Sequence, residues 1–331
     1  MSPTLRTVLV TGASGFLGSH TCRTLAAQGI AVRAHGRQRS RMPSAPGITP
    51  CLGDLRDLPT LTAAAAGCDA IVHAAALSAP WGPRAEFHAT NVIGTEHVIA
   101  AARAAGVRRL VHISSPAVLF DGRDQHDLSD SAPYPRHFSS RYAETKQQAE
   151  LRVRATPGDL ECIILRPKAI YGEGDRSLVP RLLRAASAGR LPQVGDGRNR
   201  VDVTHVDDVV QAVECALHTR QGIGETFLIT GGEHVLLWSL IRELLTGAGL
   251  PYPSRILSVR TALAAAAAME VVAAVTRREP LLTRYSALIL ARTQTCDIGR
   301  ARALLGYMPR VSSTDGVART IDALRTRWLA I

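Results

Sequence analysis

The chain has 331 residues, of which 46% are hydrophobic and only 4% aromatic, with a mean hydropathy of +0.05. That is enough apolar surface for one large or two ordinary domains, and it argues against a disordered chain. The 39 Lys and Arg against 28 Asp and Glu leave a formal charge of +11. The arginines are scattered and no basic run is interleaved with aromatics, so the surplus points to a phosphate-bearing cofactor or an acidic substrate rather than nucleic acid.

Thr7 to Val10 is a short apolar, β-branched run that reads as a buried strand. Gly12, Gly15 and Gly18 follow at G-x-x-G-x-x-G spacing, and Phe16-Leu17, Thr21-Cys22 and Leu25-Ala26 then recur at helical spacing. Strand, glycine turn and helix in that order place backbone N–H groups and a helix N-terminus where a pyrophosphate can sit. Ile30 to Ala34 is the second strand. It is followed by His35-Gly36-Arg37-Gln38-Arg39-Ser40-Arg41, with no acid and three arginines. A carboxylate there favours NAD through the ribose hydroxyls, whereas a guanidinium suits a 2′-phosphate. Arg37 is therefore the leading contact for NADP(H), unless the run is a solvated basic loop.

Ile48 to Leu52 reads as the third strand and leads to Asp54-Leu55, where Asp54 either accepts from the adenine amino group or caps the next helix. Ala70 to His73 is the fourth strand, and the small residues Ala74, Ala75 and Ala76 after it let a cofactor lie against the backbone. His73 reads as a packed core histidine. The loop from Leu77 to Pro83 holds Ser78 and Trp81 at the carboxyl end of the sheet, where substrate is expected. Trp81 is either a substrate wall or a hydrophobic plug. Glu86 to Ala105 reads as one long helix, with Gly94 explained by close packing. Arg108 to Ser114 is the fifth strand, opening onto Ser115, and Arg123 to Pro135 reads as loop. Phe138 to Arg154 is helical, Leu160 to Arg166 is the sixth strand, Val209 to His218 a helix and Thr226 to Thr230 the last strand. Strands alternating with helices make a parallel, doubly wound α/β sheet. The predicted division is 1–166 plus 206–230 for a dinucleotide-binding unit, and 167–205 plus 231–331 for a smaller, mostly helical substrate lobe.

Tyr142 and Lys146 are four apart and share a helix face. An ammonium beside a phenol lowers its pKa from about 10, and Ser115 can bond the same substrate oxygen. That is a proton-transfer site: Tyr142 gives a proton to a carbonyl oxygen as hydride reaches carbon, or takes it in reverse. Lys146 can also hold the nicotinamide ribose.

Taken together, T-G-A-S-G-F-L-G at 11–18, Asp54-Leu55, N-V-I-G-T at 91–95, Ser114-Ser115, Y-A-E-T-K at 142–146 and Arg166-Pro167 resemble the extended short-chain dehydrogenase/reductase superfamily. V-D-V-T-H-V-D-D at 201–208 and A-L-L-G-Y at 303–307 extend the resemblance into the second half. It implies a Rossmann-type fold, catalysis by Ser115, Tyr142 and Lys146, and a structural Asn91. It also implies cofactor contacts at Gly12, Ser14, Gly15, Phe16, Leu17, Gly18, Arg37, Asp54, Leu55, Ala74, Ala75, Ala76, Tyr142, Lys146 and Pro167. H-I-S-S-P-A-V at 112–118 and R-P-K-A-I-Y-G at 166–172 look like the branch of 3β-hydroxysteroid dehydrogenases and 2-alkyl-3-oxoalkanoate reductases. The implied activity is an NADP(H)-dependent ketoreductase acting on a hydrophobic 3-keto or 3-hydroxy substrate that touches Ser78, Trp81, Ser115 and Lys168. Nucleotide-sugar epimerases usually have asparagine where this chain has Lys168. That residue either meets an acidic substrate group or is a solvated lysine. The alternatives are a nucleotide-sugar epimerase or dehydratase retaining NAD, and a non-catalytic NADP sensor.

Six cysteines and eleven histidines form no C-x-x-C and no H-x-x-x-H, so no metal site is expected and the thiols read as buried in a reducing compartment. Without an apolar leader, and with Leu263 to Val275 the nearest approach to a membrane span, a cytoplasmic protein is expected. The alanine-rich stretch from Ser254 to Leu290 lines a substrate tunnel, touches a membrane or packs on another helix or a dimer mate. A homodimer is what the resemblance implies.

Overall fold

A computed structural model describes residues 5–328. Its centre is a seven-stranded parallel sheet of β1 (Thr7–Thr11), β2 (Ala31–Gly36), β3 (Ile48–Leu52), β4 (Ala70–His73), β5 (Arg109–Ile113), β6 (Glu161–Pro167) and β7 (Thr226–Ile229). The strand order is β7-β6-β5-β4-β1-β2-β3. The chain leaves β1 toward β2 and β3, then returns to place β4 on the other side of β1, so the order reverses between β1 and β4. In sheets of this kind ligands bind at the carboxyl ends of the strands, at that reversal.

The strands are apolar throughout because both faces are covered. Alternate residues Val8 and Val10 enter one core with α1 (Phe16–Ala27), while Leu9 enters the other with α2 (Leu58–Ala65). The remaining helices are α3 (Arg84–His88), α4 (Gly94–Ala104), α5 (Arg141–Arg154), α6 (Leu178–Ser187), α7 (Val206–His218), α8 (Leu237–Gly247), α9 (Val259–Thr276), α10 (Arg284–Ala291) and α11 (Ser313–Trp328). Helices α4 and α7 complete the two layers, and α6 and α8 build a separate core around Trp238 and Leu244.

Four expectations change. The helix expected over Glu86 to Ala105 is α3, a π-turn at Ala89–Ile93, and α4. Within the π-turn, Asn91 turns its amide onto the loop, accepting from the Leu77 N–H (2.7 Å) and donating to the Leu77 carbonyl (3.1 Å) and Thr145 Oγ1 (3.0 Å). The polar stretch after Arg123 contains a strand, Gln125–Leu128, which pairs with Gln294–Cys296 in a second, four-stranded sheet. The helix expected from Phe138 starts at Arg141, because Ser140 Oγ accepts from the Ala143 N–H and caps it. Lastly, α9 is long and apolar enough to cross a membrane by length and composition, and only 17% of it is buried. The helix is longer than the run from Leu263 to Val275 because Ser258 caps it five residues earlier, and Glu270 within the run is paired with Arg284 at 2.8 Å. Gly94 does pack closely, since a Cβ there would lie 3.1 Å from Leu55.

One buried ion pair joins α5 to the sheet. Arg166, 1% exposed, donates through Nε to Glu150 Oε1 (2.9 Å) and through Nη2 to Glu150 Oε2 (2.6 Å). Tyr134 Oη donates to the same carboxylate at 2.7 Å. Burial alone would raise the Glu150 carboxyl, but the Arg166 bonds and charge outweigh it and hold it below the usual range. This contribution to stability is therefore present above the unfolded carboxylate pKa and is lost as pH falls through the lower folded value. Glu150→Ala leaves a buried guanidinium without its partner. It should cost about 3–5 kcal/mol in equilibrium denaturation; a cost below about 1 kcal/mol would show that the pair does not fix this helix.

Candidate active site

The three glycines of the first turn have different jobs. Gly12 sits at φ +71°, and a Cβ on it would lie 2.7 Å from the backbone of Ala75, across the β1–β4 reversal. A Cβ on Gly18 would lie 2.2 Å from the Gly12 carbonyl oxygen, so Gly18 is what lets α1 close on the turn. Gly15 has ordinary extended dihedrals and meets only the Gly12 oxygen, at 3.0 Å. It is the N-cap of α1 without a side-chain cap, and the first turn of α1 carries no acid. The first N–H groups of α1 therefore face a space kept clear by a missing side chain. These residues fit a dinucleotide pyrophosphate.

Around this cradle Ala74 and Ala75 are half-buried, Ala76 is exposed, and Leu17 and Leu55 belong to the core. Ser14 reaches the end of β2: its Oγ would lie 3.2 Å from a Cβ on Gly36. Arg37 follows directly and is 73% exposed, with Nη1 4.0 Å from Asp54. Asp54 is held instead by Arg56 through Nε (2.9 Å) and Nη2 (2.8 Å), which together pull its carboxyl down to about 2. Arg37 is thus the exposed guanidinium at this edge, at the far limit of ion-pair distance from Asp54.

Ser115, Tyr142 and Lys146 come together at the carboxyl ends of β5 and β6. Ser115 ends the β5 segment and caps the turn Pro116–Leu119, its Oγ accepting from the Ala117 N–H at 3.2 Å. The Tyr142 hydroxyl is hydrogen-bonded to Ser115. Lys146 is fully buried; its Nζ donates to the Ile113 carbonyl (2.6 Å) and to His112 Nε2 (3.2 Å). Burial drives His112 far below its ordinary range, so the ring is neutral and accepts. Burial also pulls Lys146 down to about 8, opposed by Glu150.

The electrostatic expectation for Tyr142 is corrected here. Its pKa is raised to about 12, chiefly by burial, with the Ser115 bond lowering it and Glu150 adding to the rise. Lys146 does not lower it, because the ammonium is committed to the Ile113 carbonyl and His112. Tyr142 thus stands as a protonated phenol, ready to donate. His73 is the core histidine expected, bonded to Thr11 Oγ1 (2.7 Å) and Thr95 Oγ1 (3.0 Å).

Next to the start of α5 lies a cavity of about 520 Å³ with mixed walls: Trp81, Phe138, Ala267, Val271 and Tyr285 are apolar or aromatic, and Arg141, Glu144, Glu270 and Arg284 are charged. Trp81 is a wall of this cavity, with Arg141 stacked 5.7 Å from its ring. Ser78 is exposed on the same loop and lies off the cavity wall. Pro167 is buried at the end of β6 and Lys168 follows it. Three residues escaped sequence reasoning. Glu150 lies four beyond Lys146, a spacing that could have flagged it; His112 lies within the recognised strand motif. Tyr285, ring to ring with Phe120 at 6.2 Å, comes from a distant helix and left no local signal.

The NAD dependent epimerase/dehydratase family model matches residues 8–230. The chain belongs to this family. It is 38% identical to a 2-alkyl-3-oxoalkanoate reductase of Stenotrophomonas maltophilia, across 94% of this chain and 97% of that one. It is 34% identical to the decarboxylating sterol-4-alpha-carboxylate 3-dehydrogenase of Candida albicans, across 97% and 98%. The solved structure of MoeE5 in complex with UDP-glucuronic acid and NAD superposes with a TM-score of 0.77 at 29% identity, covering 97% of this chain and 99% of that one. The protein is thus an NAD(P)-dependent short-chain dehydrogenase/reductase acting on CH–OH groups, of the branch that holds ketoreductases and 3β-hydroxysteroid dehydrogenases.

The division of labour among the glycines is separable by mutation. Gly15→Ala should fold with a near-native melting temperature and bind nicotinamide dinucleotide about tenfold more weakly or worse. Gly18→Ala should lose the cooperative transition, because the clash is with backbone. Equal stability losses in the two variants would refute the assignment.

Proposed function

We propose that the protein is an NADP(H)-dependent ketoreductase that reduces a hydrophobic 3-oxo compound to the 3-hydroxy compound. The observation that carries this is the protonated Tyr142 hydroxyl, bonded to Ser115 close to a cavity that Trp81, Phe138 and Tyr285 line on its aromatic side. Bound in the cradle at Gly12 to Gly18, the cofactor supplies the hydride. The substrate carbonyl oxygen accepts from Ser115 Oγ and Tyr142 Oη. As hydride reaches carbon, the Tyr142 proton passes to that oxygen, while the Lys146 ammonium, one turn along, holds the nicotinamide ribose. Trp81, Phe138 and Tyr285 hold the apolar part of the substrate and exclude water. Arg37, with Ser14 opposite, takes the 2′-phosphate and sets the preference for NADPH.

A second reading, a nucleotide-sugar epimerase, is favoured by the likeness to a structure holding UDP-glucuronic acid and NAD. It requires recycling of the hydride with no net consumption of cofactor, which a simple absorbance assay separates from reduction.

Tyr142→Phe should lower kcat for ketone reduction by about 10²- to 10⁴-fold with NADPH affinity unchanged; undiminished turnover would remove Tyr142 from the reaction. Arg37→Ala should weaken NADPH binding by about ten- to a hundredfold and leave NADH binding alone. Equal losses for both cofactors would refute the 2′-phosphate contact. The rate of reduction should fall above pH about 8, as Lys146 loses its proton, while Tyr142 remains protonated. Lys146→Arg should flatten that decline, and an unshifted decline would assign it to another group.

A further inference from the structure

Helix α9 is apolar on nearly all sides, and a helix of that kind is normally covered all round. Here only Ala262, Ala266 and Ala273 are buried, and at 3.6 residues per turn these three share one side. On the opposite side Ala264, Ala268, Val271, Val272 and Val275 recur at i, i+4, i+7, i+8 and i+11, and all of them are exposed. The larger side chains are the most open: Val271 is 68% exposed, Val272 60% and Val275 81%, and Leu281, just after the helix, is 69% exposed. A contiguous apolar ridge of this kind marks a surface that a partner covers.

Cations frame the ridge. Arg260 stands exposed in the first turn of α9, and Arg277 and Arg278 stand exposed directly after its last turn. The two acids of this segment are already taken, Glu270 by Arg284 and Glu279 by Arg181, both at 2.8 Å. Among the described residues Arg260, Arg277 and Arg278 have no carboxylate within ion-pair distance. An apolar strip between guanidinium groups complements a surface that is apolar inside and anionic at its rim. A second copy of the chain does not complement it. Whether two α9 helices met parallel or antiparallel, guanidinium groups would face guanidinium groups with no free acid between them. The formal charge of +11 on each copy adds to that repulsion.

From this arrangement we infer that α9 docks on an anionic lipid bilayer and lies in its surface plane. Val271, Val272, Val275 and Leu281 enter the acyl boundary, and Arg260, Arg277 and Arg278 meet headgroup phosphates. The helix lies on the bilayer and does not cross it. Ala262 is packed with Ala287 of α10, and Glu270 is tied to Arg284, so one side of α9 stays with the protein. The same helix supplies Ala267, Glu270, Val271 and Ala274 to the wall of the cavity near α5. Docking therefore sets that cavity beside the lipid, where a hydrophobic substrate dissolves. The surface contact itself does not depend on the ketoreductase reading.

Co-sedimentation of the full-length protein with sucrose-loaded vesicles tests this. Vesicles of phosphatidylcholine with about one-third phosphatidylglycerol should bind the wild type about tenfold or more tightly than vesicles of phosphatidylcholine alone. Val272→Glu combined with Val275→Glu should weaken binding to the anionic vesicles by about tenfold or more. Its melting temperature should stay near that of the wild type, because both side chains are exposed. Should that variant fail to fold, Val272→Ser with Val275→Ser answers the same question. Arg277→Gln combined with Arg278→Gln should remove most of the preference for anionic over neutral vesicles. A wild type that binds neither vesicle, or binding unchanged in both double variants, overturns the inference. So does a dimer in sedimentation velocity that the Val272→Glu, Val275→Glu variant dissociates, which would give the ridge to a second copy.

Discussion

The grip of Arg166 on Glu150 sets the position of everything that reacts. Glu150 is the third member of a stripe on α5 whose other members are Tyr142 and Lys146. With both carboxylate oxygens taken by Arg166, α5 cannot rotate about its axis or slide along β6 without exposing a bare charge in the core. The same arginine stands two residues before Lys168, so one contact fixes the phenol, the buried ammonium and the lysine at the strand end relative to each other. Asn91 acts similarly from the other side, tying the Leu77 loop to Thr145 of α5.

Within that frame burial, more than charge pairing, sets the protonation states. It raises Tyr142, lowers Lys146 and keeps His112 neutral. A neutral imidazole behind Lys146 accepts a hydrogen bond that an imidazolium would refuse, so the apolar surroundings of β5 help orient a residue of the neighbouring helix. The Tyr142 phenol is thus protonated before any substrate arrives. The aromatic walls contributed by Trp81, Phe138 and Tyr285 fit the hydrophobic part of the proposed substrate.

The sheet was legible in the sequence because its strands are short apolar runs buried on both faces, each followed by a turn or a helix of different periodicity. The glycine turn was legible because steric demands at Gly12 and Gly18 leave no other residue. What escaped depends on pairing over long distances. Gln125–Leu128 is polar and becomes a strand only by meeting Gln294–Cys296. The helix break near Asn91 reflects a side chain bonding a loop, which propensity does not encode. The direction of Lys146 was misjudged because Tyr142 and Lys146 do share a helix face, but the Ile113 carbonyl competes for the ammonium. The tendency of α9 to stay exposed is a tertiary fact: only Ala262, Ala266 and Ala273 of it are buried.

The destination of the hydride separates reduction from epimerisation. With NADPH carrying deuterium at the transferred position and a 2-alkyl-3-oxo acid as acceptor, mass spectrometry of the product locates the label. Deuterium on the carbinol carbon, with one cofactor oxidised for each alcohol formed, is the result predicted. Label retained on the cofactor, with no net oxidation and no alcohol formed, would contradict it.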